Sequence, residues 1–401
     1  MRSFLVLLFF SWLTVAHAQT LLKGVVLDEE KHTPVPKASV FLSNTSIGTT
    51  ANDEGGFALN VPAGKFELVV SSVGYATYSQ SINTNEVLGF ITIKLTPKAP
   101  ELETIIIEPY EKDGWEKWGK WFTDNFIGTT EYSRDCRIKN PEALKFRNSK
   151  KNNTLTAVAV APLQIENKAL GYRITYQLED FRYNFKTRML FYAGFPFFQN
   201  LQGSDHKQRQ WEKAREDVYL GSMLQFMRAL YRNKIVEEGF DVRRLQKIPN
   251  AEKNRVKMIY KTSSVRADEN GRLVSTVNRD SSAYYNRIMR EDDFKKVYGK
   301  DLLRGDSMAY AIDSTVAGFD FPDYLLVIYK YKKNPPEFKQ MFPKSSDAMM
   351  SEITLVNGKP LQVLANGSYF NPEDLLSTGY WGWWEKMGTM LPFDYQPPAR
   401  K

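Results

Sequence analysis

Histidine is the scarcest catalytic residue type in this 401-residue chain, and its three positions limit the chemistry. His17 lies in an N-terminal segment patterned as an export signal, which leaves His32 and His206 in the expected mature chain. A catalytic zinc takes three protein ligands, as two His and a Glu in the carboxypeptidases. Neither His-x-x-Glu nor His-Glu-x-x-His occurs, so no metal ligand set is predicted. Serine hydrolysis lacks a Gly-x-Ser-x-Gly elbow, and its base would have to be His206, in the polar run Gly203-Ser204-Asp205-His206-Lys207. That run reads as a solvated helix start. Cys136 is the sole cysteine. No family signature of a cysteine nucleophile surrounds it, and burial as a small apolar residue is expected. Phosphate loops and the Gly-x-Gly-x-x-Gly fingerprint are missing from the sequence. Carboxylates are adjacent at Glu179-Asp180, Glu291-Asp292-Asp293 and Glu373-Asp374. Such pairs can run glycoside hydrolysis, but turns and helix starts account for them equally well. No catalytic, cofactor-binding or metal residue is therefore predicted. Two tryptophan groups remain: Trp115, Trp118 and Trp121, and, near the C-terminus, Tyr380-Trp381-Gly382-Trp383-Trp384. A shared core between the two ends of one domain is expected, because aromatics dominate core burial. Trp381, Trp383 and Trp384 are also the candidate partner- or ligand-facing aromatics.

Composition sets the frame for these residues. Apolar residues make up 42% and aromatics 13%, enough to bury a sizeable core over two or three domains. Met1-Arg2, the apolar stretch Phe4 to Leu13 and the small-x-small site Ala16-His17-Ala18 form a secretory signal over residues 1–18, with Gln19 as the new N-terminus. The apolar stretch is shorter than the ~20 residues a span needs, and no membrane span is expected in the mature chain. Residues 109–401 hold 47 Lys/Arg against 36 Asp/Glu, a formal +11. The export signal argues against nucleic acid as the partner, and the positive excess then suits an anionic envelope component or another envelope protein.

Short apolar alternations broken by turn residues run from Leu21 to Leu95, as in an all-β sandwich. Within them, four stretches occur in order: Lys23-Gly24-Val25-Val26, Pro34-Val35-Pro36-Lys37-Ala38-Ser39-Val40, Asn52-Asp53-Glu54-Gly55-Gly56-Phe57 and Ser71-Ser72-Val73-Gly74-Tyr75. This series resembles the carboxypeptidase regulatory-like domain, a transthyretin-like Greek-key sandwich. Lys37 stands where a Gly often precedes the Ala, and Ala51 where a Thr is usual. The resemblance covers about a fifth of the chain and implies an accessory module without catalytic residues.

The expected organisation is a signal peptide (1–18), this sandwich (20–97), a linker (98–114) and a larger α+β domain (115–401). Within the linker, Leu102 to Ile107 reads as a last edge strand; Glu-Leu-Glu before Ile105-Ile106-Ile107 also resembles the stretch after this module in outer-membrane nutrient transporters. In the larger domain, periodicity predicts helices over Trp115–Asn125 and Asp205–Tyr231, and strands over Arg188–Phe198 and Tyr324–Tyr331. Asn357-Gly358 reads as a hairpin turn between Ile353–Val356 and Pro360–Leu364, and Asn371-Pro372 as a helix start. Helical segments interrupt the strands, which argues against a membrane barrel. The sequence thus points to an exported, periplasmic or outer-membrane-associated, non-catalytic binding or assembly protein. The alternative is a hydrolase of envelope or extracellular polymers that uses carboxylates of the second domain.

Overall fold

The computed structural model describes residues 20–84, 86, 89–98, 109–262, 265–267, 273–275 and 279–398. The expected signal peptide and the apolar stretch 102–107 of the linker lie outside the described residues. The fold is rich in β structure, with six sheets and seven α-helices among the described residues. Contacts group the described residues into two units: those within 1–127, 132–215 and 391–401, and those within 128–131 and 216–390. Residues 115–401 contribute to both.

The first unit opens with seven strands: β1 (Thr20–Asp28), β2 (Ser39–Leu42), β3 (Gly48–Thr50), β4 (Gly56–Val61), β5 (Lys65–Ser71), β6 (Tyr78–Asn83) and β7 (Ile91–Leu95). They form two sheets of order β4-β1-β7 and β3-β2-β5-β6. Alternation selects their inner faces: Phe57, Leu59 and Val61 of β4 are buried, and residues of both sheets join one apolar core with Val26, Val40, Val70 and Ile93. The signature residues have physical roles in this domain. Gly74 has φ +86°, a backbone that L-residues disfavour. The hydroxyl of the adjacent Tyr75 donates to Asp28 Oδ2 at 2.9 Å. Asp28 Oδ1 accepts from the backbone N–H of Lys31 and Glu30, and these bonds, with the Tyr75 hydroxyl, hold its carboxyl below the usual value. Lys37, the departure from the family pattern, has φ +58°, which explains why Gly is favoured there.

The same unit continues with α1 (Gly114–Phe126), β8 (Cys136–Ile138), β9 (Leu144–Ser149), β10 (Thr154–Ala159), β11 (Leu163–Asn167), β12 (Tyr172–Asn184) and β13 (Met189–Asn200), six strands in one sheet around β12. The loop after β2 is seated on β13: Asn44 N–H donates to Pro196 O at 2.8 Å, Phe198 N–H to Thr45 O at 3.0 Å, and the Phe41 and Phe197 rings lie 5.1 Å apart. The last residues of the chain return to that loop, where the carboxylate of Asp394 accepts from Ser46 N–H at 2.9 Å. Helix α2 (Asp205–Tyr219) is shared with the second unit. The helix expected from Asp205 to Tyr231 is broken after Tyr219. Gly221 takes φ +85°, and Ser222 starts a new helix by accepting from Gln225 N–H, as an N-cap does.

That new helix, α3 (Met223–Tyr231), belongs to the second unit. It is followed by β14 (Phe240–Pro249), α4 (Ala251–Thr262), β15 (Val265–Ala267), β16 (Leu273–Ser275), α5 (Arg279–Arg290), β17 (Phe294–Tyr298), β18 (Ala309–Ala311), β19 (Val316–Phe319), β20 (Tyr324–Lys333), α6 (Pro336–Met341), β21 (Ala348–Leu355), β22 (Leu361–Leu364), β23 (Tyr369–Phe370), β24 (Leu375–Gly379) and α7 (Tyr380–Trp384). The main sheet has order β17-β14-β20-β21-β24, and a second sheet has order β18-β19-β22-β23. This corrects the hairpin expected at Asn357-Gly358. Gly358 does turn with φ +61°, but β21 pairs with β20 and β24 while β22 pairs with β19 and β23, so the two strands enter different sheets. The helix expected at Asn371 is a single 3-10 turn, Pro372–Asp374, with β24 beginning at the next residue.

Candidate functional site

The sequence-predicted tryptophans sit at one end of the main sheet of the second unit. Strand β24 pairs with β21 and leads directly into α7. There Trp381, Trp383 and Trp384 are only 2%, 7% and 4% exposed. The Trp381 indole N–H donates to Gly221 O at 2.8 Å, and its ring lies 5.2 Å from Phe226. Trp383 donates to Thr129 Oγ1 at 3.0 Å and packs against Phe338, while Trp384 stacks on Tyr380. All three rings are covered, and those of Trp381 and Trp383 are also satisfied at the N–H, which leaves no free face for a ligand. These three residues are therefore core, which corrects their candidacy as partner-facing aromatics. The other group belongs to the first unit, where Trp121 lies 4.7 Å from Tyr183 and Trp118 6.0 Å from Phe185. Trp115, Trp118 and Trp121 are half-buried there, so the two groups belong to different units.

Most of the titratable candidates have local partners. Cys136 is fully buried, and desolvation pushes its thiol up to about 12, far from the thiolate a nucleophile needs. His206, in the first turn of α2, meets Gln210 of the next turn at 2.9 Å, and His32 sits in the turn after β1. Asp180 pairs with Arg182 at 2.7 Å, and burial raises the carboxyl of Glu179. Asp293 is bound by Lys257 at 2.7 Å and Lys253 at 3.0 Å, which lower its carboxyl. Asp374 is buried and accepts from Asn357. Among the described residues no group of three His, Cys, Asp or Glu could hold a metal ion.

One carboxyl that sequence reasoning missed is Glu385, directly after α7. Desolvation pushes it up to about 7 against the opposing pull of Met223 N–H and Lys386, and desolvation lowers Lys386 to about 8. A carboxyl near neutrality is suited to proton transfer. Here, however, its Oε1 accepts Met223 N–H at 2.8 Å and so occupies the N-terminus of α3, where a negative charge is favoured.

The opposite end of the sheet is open. Among the described residues, strand β17 pairs with β14 alone, and all five of its residues are exposed, Phe294 to 47%, Val297 to 40% and Tyr298 to 50%. Helix α5, which feeds it, exposes Tyr284, Arg287 and Arg290, three residues apart and so on one side. The Arg287 guanidinium lies 5.3 Å over the Tyr284 ring. Met258 of α4 and Met289 of α5 are exposed as well. Lys247 and Lys296 flank Glu352 at 2.8 and 2.5 Å; burial works against its charge, but the two lysines outweigh it and hold the carboxyl below its usual value. The signal in the sequence was the mixture of Phe, Lys, Val and Tyr at 294–298, too short to stand out by periodicity.

Comparison with known proteins adds one assignment. Residues 22–107 match the CarboxypepD_reg-like domain family. This agrees with the domain expected from the turn signatures, and the CarboxypepD_reg-like domain accounts for about a fifth of the chain. No curated protein matches the sequence. The solved structures with low similarity to it include two from Bacteroides species. One is a protein of unknown function, with a suggested membrane association, from Bacteroides fragilis NCTC 9343: 10% identical, TM-score 0.17, covering 86% of this chain and 93% of that one. The other is a DUF3823 family protein from Bacteroides ovatus ATCC 8483: 9% identical, TM-score 0.17, covering 87% of this chain and all of that one. At these scores neither assigns a fold.

Proposed function

We propose that the chain is an exported, non-catalytic binding and assembly protein of the cell envelope. Its CarboxypepD_reg-like domain serves as a Greek-key accessory sandwich, and an α+β region does the docking. The observation that carries this reading is the α5 surface. Tyr284, Arg287 and Arg290 present an aromatic ring and two guanidinium groups together, with Met258 and Met289 exposed on the same helical pair. Guanidinium groups suit carboxylate and phosphate partners, and the formal +11 of residues 109–401 gives long-range attraction to an anionic envelope component. The export pattern at residues 1–18 supplies the compartment. No membrane-crossing helix is needed for such attachment, and among the described residues none is long and apolar enough to cross.

The test is co-sedimentation of the full mature chain with cell envelopes over a salt series, for wild type and an Arg287→Glu/Arg290→Glu variant. Wild type should sediment at low salt and be released as salt rises, because exposed charges are screened within about 8 Å at physiological ionic strength. The variant should stay in the supernatant with its melting temperature unchanged. Equal sedimentation of the two proteins rejects docking through α5, and no sedimentation of wild type at any salt rejects the envelope reading.

A further inference from the structure

The open edge of β17 has a defined pattern of unpaired backbone groups. Asn250 N–H bonds to Asp293 O, and Gly299 N–H to Arg244 O. In the antiparallel register of β14 and β17, where Leu245 lies opposite Tyr298 and Pro249 opposite Phe294, those bonds mark the odd-numbered residues as facing β14. Alternate residues of a strand direct both of their backbone groups to opposite neighbours. Phe294, Lys296 and Tyr298 therefore point their N–H and C=O groups outward, where no strand is paired among the described residues.

We propose that this edge binds the same edge of a second copy of the chain, forming a two-fold dimer around antiparallel β17 strands centred on Lys296. That register sets Phe294 opposite Tyr298 of the other copy, Lys296 opposite Lys296 and Tyr298 opposite Phe294. Every outward group of both strands is then paired, in about six hydrogen bonds by the antiparallel pattern. Registers shifted by two residues leave some of those groups unpaired. The side chains agree with the register. Two Phe–Tyr cross-strand pairs form on one face, the kind of contact that stabilises sheets. Just beyond the strand ends, Asp292 of each copy meets Lys300 of the other; both residues are exposed.

Lysine on an edge strand usually discourages pairing. Here Lys296 is bound to Glu352 at 2.5 Å, which offsets the repulsion at the centre. Lys295 lies on the opposite face and meets Val297 of the other copy, not another lysine. A lipid surface would leave the outward N–H and C=O groups without partners. A two-fold interface must be self-complementary, and this one is so in hydrogen bonds, rings and charge.

The dimer deepens the assembly reading above, but its test uses other residues, so either can fail alone. The measurement is analytical ultracentrifugation of the full mature chain over a concentration series. Wild type should show a reversible monomer–dimer equilibrium. Asp292→Lys and Lys300→Asp each turn two attractive pairs into repulsive ones and should weaken dimerisation about tenfold. The double variant Asp292→Lys/Lys300→Asp restores opposite charges and should recover wild-type association. Melting temperatures of all four proteins show that each is folded. A wild type that stays monomeric at every concentration overturns the proposal. So does a dimer indifferent to the single changes, or one that the double variant fails to restore.

Discussion

The main sheet of the second unit ends in two opposite ways. At the β24 end, four aromatic residues in five positions of α7 are buried. At the β17 end, Phe294, Val297 and Tyr298 are half-exposed on a strand with a single neighbour. The densest aromatic sequence in the chain is thus buried, and the exposed surface at the other end is a sparser mixture of aromatics with Lys and Arg. Concentrated tryptophan is drawn together by the large apolar area each ring removes from water. Aromatics left at a sheet edge have no such cover, and contact surfaces are enriched in aromatics, Met and Arg.

The comparison breaks most visibly at Trp381. Trp381→Ala should cost about 3–5 kcal/mol in denaturant unfolding, since it removes a fully packed indole and its bond to Gly221. A cost near zero would mean that α7 is not part of the core.

The same end of the sheet should impose a pH dependence. The carboxyl of Glu385 is raised in the folded protein, so the native state binds more protons than the unfolded chain between its ordinary value and about 7. Stability should be greatest below that window and fall as pH rises through it. Glu385→Gln keeps an oxygen for Met223 N–H and should flatten this slope, as read by urea unfolding at several pH values. A slope unchanged in the variant would assign the dependence to another group.

The first domain sharpens the contrast between local and distant causes. Gly74→Val should destabilise by about 1–2 kcal/mol. No atom lies within 4 Å of the added Cβ, so the whole effect comes from the φ of +86°. Lys37→Gly relieves the same kind of strain and should stabilise by less than about 1 kcal/mol. Thermal unfolding of both variants checks the pair, and opposite signs are expected. Smallest of all should be Tyr298→Ser at the open edge, within about 0.5 kcal/mol at monomer concentrations.

These differences follow what was legible in the sequence. The turns of the first domain are local events: Gly55, Gly74 and the alternation of Phe57, Leu59 and Val61 specify their own backbone. Helix α1 and strands β13 and β20 were legible for the same reason. The break at Gly221 was hidden because the apolar spacing continues across it from α2 into α3. The hairpin reading of Asn357-Gly358 failed because a turn dictates a local reversal, not the sheet that the next strand joins. That β17 is an edge cannot be read locally either. Its one partner among the described residues, β14, is separated from it by two helices and a hairpin. Burial of the C-terminal tryptophans was expected from their type, but their separation from Trp115, Trp118 and Trp121 depends on the path of the chain between them.

The central claim is that binding belongs to the α5 surface and not to the tryptophan cluster. Hydroxyl-radical footprinting of the full mature chain, alone and with cell envelopes, tests it directly. Met258, Tyr284 and Met289 should label readily in the free protein and lose labelling when envelopes are added, while Trp381, Trp383 and Trp384 stay unlabelled in both. Tryptophans that label in the free protein and become protected by envelopes, with Tyr284 and Met289 unchanged, would contradict the account.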